Sequence, residues 1–171
     1  EKKTKEEITR KENKIAELLQ DENNQHEEVA RLTLEVEKHS KDMQDLSTSS
    51  GKLKKLNTFL FKIQSKLSSC QKEHSFFTDN HVCPTCTQDL SEDFRQSKIA
   101  EGEGELNNLQ TGIEDLLDAI SKEEERENEF TRLSQTVLSL NSSITQANYQ
   151  ITSIRKGIGD IEKEIKELES T

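Results

Sequence analysis

From Phe130 to the end of the chain, apolar residues recur at alternating steps of three and four: Phe130, Leu133, Val137, Leu140, Ile144, Ala147, Ile151, Ile154, Ile158, Ile161, Ile165 and Leu168. On a helix that spacing gathers them into one narrow stripe, the a/d seam of a coiled coil. Leu106, Leu109, Ile113, Leu116 and Ile120 keep the same rhythm in another frame. The two frames meet in K-E-E-E-R-E-N-E, Lys122 to Glu129, with an offset the size of a stammer. Local overwinding or a flexible joint is expected there.

The first half of the chain repeats the design. Ile8, Ile15, Leu18, Val29, Leu32, Val36, Met43 and Leu46 fit one heptad frame, with Lys11, Glu22, Gln25 and His39 as polar occupants of the seam. Leu53, Leu56, Leu60, Ile63, Leu67, Cys70, His74 and Phe77 fit a second frame, again offset. The join is S-T-S-S-G, Ser47 to Gly51, a stretch of weak helix formers.

Between the two halves, Thr78, Asp79 and Asn80 read as a helix-ending turn. Asp89 followed by Glu92 has capping-box spacing, so the next helix should begin near Asp89 to Ser91. The predicted fold is therefore all-α: an antiparallel intramolecular coiled-coil hairpin with a C-x-x-C motif, Cys83 and Cys86, at its apex. Its ascending arm spans 1–80 with a joint near 47–51, the apex 81–88, and the returning arm 89–171 with a joint near 122–129. If Cys83 faces Cys86, Gly51 lies opposite Asp118, and the two joints become neighbours that a single break in the rod would explain.

Composition supports a rod. Apolar residues are 29% of the 171, aromatics 4%, and tryptophan is absent, so the apolar side chains must be used along a line and not in a broad core. The formal charge of −10 disfavours contact with phosphates. Lysines 52, 54, 55, 62 and 66 are spaced as the solvent face of a helix, and no direct nucleic-acid binding by this segment is expected. No apolar run is long enough to cross a membrane. Neither a phosphate-binding G-x-x-x-x-G-K-[S/T] loop nor a catalytic cluster of acids occurs, so this segment reads as no enzyme. The chain opens on Glu1 without an initiator methionine or signal peptide, which reads as an internal piece of a larger cytosolic protein.

The chemistry sits in C-P-T-C, Cys83 to Cys86, beside the only proline, Pro84. Two cysteines at this spacing can grip one side of a zinc ion, with backbone amides of the turn directed at the sulfurs. Pro84 and Thr85 form the apex turn, and the proline lowers the entropy cost of ordering it. A closed structural site needs four ligands. Three further arrangements stand beside a site shared by two chains. One is completion within the chain by His74, His81 or Cys70, another a redox pair, and the third a disulfide or cysteines of no function. Cys70, His39 and His74 fall on seam positions, where packing or register is the simpler role, and His81 is read as a surface or supporting residue. Phe59, Phe61, Phe76, Phe77 and Phe94 cluster before and after the motif. They can close the hairpin as a small core, and Phe76, Phe77, Val82 and Leu90 are candidate dimer contacts.

Heptad arms flanking an apical C-P-x-C resemble the zinc hook of the SMC-like ATPase subunit of double-strand-break repair nuclease complexes, and among these the bacteriophage versions. The correspondence rests residue by residue on Cys83, Pro84 and Cys86; where a glycine usually follows the second cysteine, this chain has Thr87. The resemblance implies a homodimer in which two hooks share one zinc ion through four thiolates. It also implies a full-length parent that meets a nuclease subunit and DNA through regions absent here, in the cytoplasm, the bacterial host's if the source is a phage. The alternative is a self-contained coiled-coil hairpin or partner-binding spacer, closed at its apex by an intrachain zinc or disulfide.

Overall fold

The computed structural model describes residues 1–46 and 49–171, with side chains described over 1–46 and 51–171. Three helices account for most of them: α1 (Lys2–Leu46), α2 (Ser49–Asp79) and α3 (Glu92–Glu169). None is long and apolar enough to cross a membrane, among the described residues. Of the seam break expected at Ser47 to Gly51, Ser47 and Thr48 lie outside the described residues, and Ser49 to Gly51 open α2. The charged stretch Lys122 to Glu129 is helical throughout, so the change of frame there is absorbed within α3 without a helix end.

Burial follows the heptads. Leu32, Cys70, Phe77, Ile120, Leu133, Ala147, Ile151 and Ile158 are the buried apolar side chains among the described residues, and every one occupies a predicted seam position. A single stripe is what long helices can hide when each meets only one neighbour.

The chain divides into two compact units, Glu1–Asp45 with Phe130–Thr171, and Leu46–Glu129. In the first, α1 lies against the later part of α3 in the antiparallel sense. Leu18 meets Gly157, Lys11 Nζ is 2.6 Å from Glu164 Oε2, and Arg155 donates to Glu22. Two of the polar seam occupants thus find partners across the pair. The Arg155 guanidinium holds the Glu22 carboxyl below the usual glutamate range, and the Glu164 carboxylate raises Lys11.

In the second unit α2 packs on the early part of α3. Ile63 meets Gly112 and His74 meets Gly102, while Lys52 Nζ lies 3.2 Å from Glu123 Oε1. Glu123 takes the seam position that follows Ile120 and is buried, with its second oxygen lacking a partner. Gly102 is required by this packing: a Cβ there would come within 2.9 Å of the His74 ring, so only glycine admits the imidazole.

The register differs from the one expected with Cys83 facing Cys86. Lys52 faces Glu123, not Leu117, and Ile63 faces Gly112, so the returning arm is displaced by nearly two turns. Part of the cause lies in the loop, which places more residues after the cysteines than before them: α2 ends at Asp79 and α3 begins only at Glu92. The rest comes from seam packing, which interleaves a positions with d positions of the opposing helix. Each unit has the same register within itself, since Leu18 is as far from Ile63 in sequence as Gly112 is from Gly157. The two frame shifts are therefore matched in length, one on each arm.

Candidate metal centre

The loop from Asn80 to Ser91 is prepared by the helix ends beneath it. The last carbonyls of α2 have no intrahelical donors. Asn80 Nδ2 supplies one to Phe76 O at 2.8 Å, and Arg95 Nη1, reaching across from α3, supplies another to Phe77 O at 2.7 Å. On the opposite side Arg95 N donates to Ser91 O at 2.8 Å, which makes Ser91 the first residue to accept a helical bond. Ser91 lies at the far end of the range in which the helix is expected to begin, while Asp89 forms an isolated antiparallel bridge with Val82. Glu92 and Asp93 occupy the first turn of α3, where the helix dipole favours acids.

Side chains close this neck. Phe77 is buried, edge-on to Phe76 at 5.2 Å and to Phe94 at 5.8 Å between ring centroids, and Lys98 Nζ sits 5.6 Å from the Phe94 ring centre. Arg95 is 7% exposed, a low value for an arginine, and is held in a fork by Glu92 at 3.1 and 3.2 Å. The hydrogen bonds from Arg95 and then Gln96 hold the Glu92 carboxyl down to about 2. Sequence reasoning misses Arg95 and gives Glu92 only a capping role at the helix start. The available signal is the pairing of Glu92 with Arg95, three residues on, at the point where a helix must begin.

Above the neck the two strands of the loop form a short ladder. Leu90 N donates to His81 O, Cys83 N to Gln88 O and Thr87 N to Cys83 O, each at 2.9 Å. Pro84, Thr85 and Cys86 make the turn at its end. Thr87, which closes the turn, has φ 63°, the left-handed region that glycine enters without cost and a β-branched residue does not. Its hydroxyl donates to Cys86 O at 2.7 Å. The turn thus keeps the backbone that a glycine at this place would adopt, at a strain of about 1–2 kcal/mol.

Cys83 and Cys86 are free thiols, the first half-buried and the second exposed. The backbone amide of Cys86, then that of Thr85, then the Cys86 side chain lower the Cys83 thiol below its ordinary value, outweighing burial. Two adjacent thiols, one with its sulfur facing amides that stabilise thiolate, suit half of a tetrahedral zinc site. Among the described residues no group of three or more His, Cys, Asp or Glu side chains is arranged to hold a metal.

The other candidates are dispersed. Cys70 is buried in the seam of α2, where burial first, and then Glu105 and Glu73, push its thiol up. His74 packs on Gly102 with Nε2 3.8 Å from Glu103 Oε1, and beside it a cavity of about 40 Å³ is lined by Cys70, Glu73, Lys98 and Glu105. His81 is exposed, with Nδ1 3.8 Å from Glu92 Oε2. His39 is half-buried on the seam of α1. Of the candidate dimer contacts, Phe77 is committed to the neck and Phe76 and Leu90 are half-buried, while Val82 is exposed. Phe94 is half exposed, and Phe59 and Phe61 lie on α2 away from the neck with most of their surface open. No protein-family model and no curated protein matches this chain.

Proposed function

We propose that this segment is a zinc-dependent tether, the hook and coiled-coil arms of an SMC-like ATPase subunit from a DNA double-strand-break repair nuclease complex. It resembles, in this reading, the large subunit of the T-even bacteriophage recombination endonuclease. In this reading the helices are the two arms of an antiparallel intramolecular coiled coil, and the segment joins molecules without catalysing a reaction. The observation that carries the proposal is the paired free thiols on one turn at the end of the loop, Cys83 half-buried and Cys86 exposed. A bound zinc ion would supply the bond between molecules, since each chain brings two of four thiolates. Two-fold symmetry follows, with each loop presenting the same surface to the other. The parent protein, in the cytoplasm, would meet its nuclease subunit and DNA through other regions.

The chain's own residues set how the tether behaves. The amides of Cys86 and Thr85 favour thiolate at Cys83, and the ladder through Cys83 and Gln88 holds the turn in place before any ligand arrives. Metal and dimer form one equilibrium, so a chelator should separate the chains and acidification should do the same by protonating sulfur.

Native mass spectrometry tests this. The expected species is a dimer carrying one zinc, converted to monomer by chelator and absent in Cys83→Ser and Cys86→Ser, while Cys70→Ala leaves it unchanged. A monomer that retains one zinc would replace the tether with a self-contained hairpin closed within one chain.

A further inference from the structure

Arg95 lies outside the loop that carries the thiols, yet it joins that loop's two ends. Its side chain is 9% exposed and makes three charge-assisted bonds: one to Phe77 O in the last turn of α2 and two to Glu92 in the first turn of α3. Glu92 in turn stands 3.8 Å from His81, whose carbonyl accepts the lowest rung of the ladder leading to Cys83. A surface ion pair needs neither the burial nor the carbonyl eighteen positions away.

We infer that Arg95 is a positioning residue for the metal site: it clamps the base of the loop and so pre-orders the turn that carries Cys83 and Cys86. The proposal rests on the zinc reading above and adds the residue that sets its affinity. The physical basis is loop closure. With the base clamped, the strands at 81–83 and 88–90 start from a fixed separation, and the rungs between them need order only a few more dihedrals. Without the guanidinium, Phe77 O is a buried acceptor with no donor, Glu92 loses its fork, and the ladder frays from below. The turn must then be ordered when metal binds, and the affinity falls by that amount.

A shared ion gives this a distinctive signature. Each chain orders its own loop, so a dimer of two variant chains bears the loss twice and a mixed dimer once. Loss of a supporting partner beside a metal ligand costs on the order of 10-fold in affinity, which predicts ~10-fold for the mixed dimer and ~100-fold for the variant dimer.

The experiment titrates zinc against a competing chelator for the wild-type chain, Arg95→Met, Arg95→Lys and Glu92→Gln, with mass-tagged chains mixed to read the mixed dimer. Helicity is followed in parallel, and Co2+ replaces zinc in a second series so that the thiolate-to-metal absorption reports the ligand set. Expected are unchanged helicity, an unchanged Co2+ band position at saturation, and affinities ordered wild type, Arg95→Lys, Arg95→Met, with the loss in the variant dimer the square of that in the mixed one. Lysine keeps the cation and a donor for Phe77 O but not the fork, and so rescues in part. Wild-type affinity in helical Arg95→Met overturns the proposal. Should Arg95→Met lose its helicity, Arg95→Lys and Glu92→Gln decide the matter, and wild-type affinity in both overturns the proposal. A wild-type chain that binds no zinc overturns the tether reading itself.

Discussion

The seam of the first unit and the neck below the loop both bury side chains, Phe77 and Arg95 in the neck, but they are built on opposite plans. In the seam, Leu32, Leu133, Ala147, Ile151 and Ile158 are spread along the helices, and each buries its own stretch. In the neck, Phe77, Phe94, Arg95 and Glu92 converge on one point from two helix ends. A distributed seam tolerates local weakening, because neighbouring layers keep the helices together. A convergent neck has no neighbours to share the load, and what it supports is the loop that carries the thiols.

Truncation should expose this contrast most strongly. Phe77→Ala and Leu133→Ala remove buried side chains of similar exposure, and each should cost about 3 kcal/mol in thermal or denaturant unfolding. Only Phe77→Ala should also lower zinc affinity. Equal zinc binding in both variants would mean that the neck does not govern the loop, and the comparison would fail.

A smaller effect is expected at the turn. Thr87→Gly relieves a φ of 63° at a β-branched residue and should stabilise the loop by about 1 kcal/mol. The gain should appear as slower amide exchange at the rungs near Cys83, with the unfolding of the first unit unchanged. Faster exchange in the glycine variant would show that the Thr87 hydroxyl bond to Cys86 O outweighs the strain.

The smallest effect concerns acid. Glu92 is held down to about 2 in the folded chain by Arg95 and Gln96, below the ordinary glutamate value of 4.5. A carboxyl with a lowered folded value stabilises above its unfolded value and loses that contribution as pH falls through the folded one. The neck should therefore weaken as pH falls from 4.5 toward 2, most steeply midway between the two values, seen as broadening of the Phe77 and Phe94 ring resonances in the metal-free chain. Because Glu92 is largely exposed, solvent screens the effect. Glu92→Gln should remove the pH dependence, and a Glu92→Gln neck that still loosens between pH 4.5 and 2 would assign it to another group.

Much of this is legible in the order of residues alone. The buried apolar residues, Cys70 among them, sit where the heptads place them, and the end of α2 at Asp79 falls within the predicted turn. The start of α3 comes slightly later than its capping-box spacing predicts, at Glu92, with Ser91 and not Asp89 accepting the first helical bond. The spacing of Glu92 and Arg95 marks an ion pair at a helix start, but nothing in the sequence around Arg95 says that it is buried. An arginine in the first turn of a helix is ordinarily solvated, and only the carbonyl of Phe77 arriving from α2 gives it a reason to be buried.

Helix, seam and the pair of thiols on one turn are consequences of spacing along the chain, so the order of residues was enough to specify them. The register of the arms and the burial of Arg95 were decided only in three dimensions. A heptad seam is nearly periodic, and sliding one arm past the other by a repeat leaves the pattern of apolar positions almost unchanged. Individual fits break that degeneracy: His74 against the bare Cα of Gly102, Lys52 at buried Glu123, and the Phe77 carbonyl at Arg95.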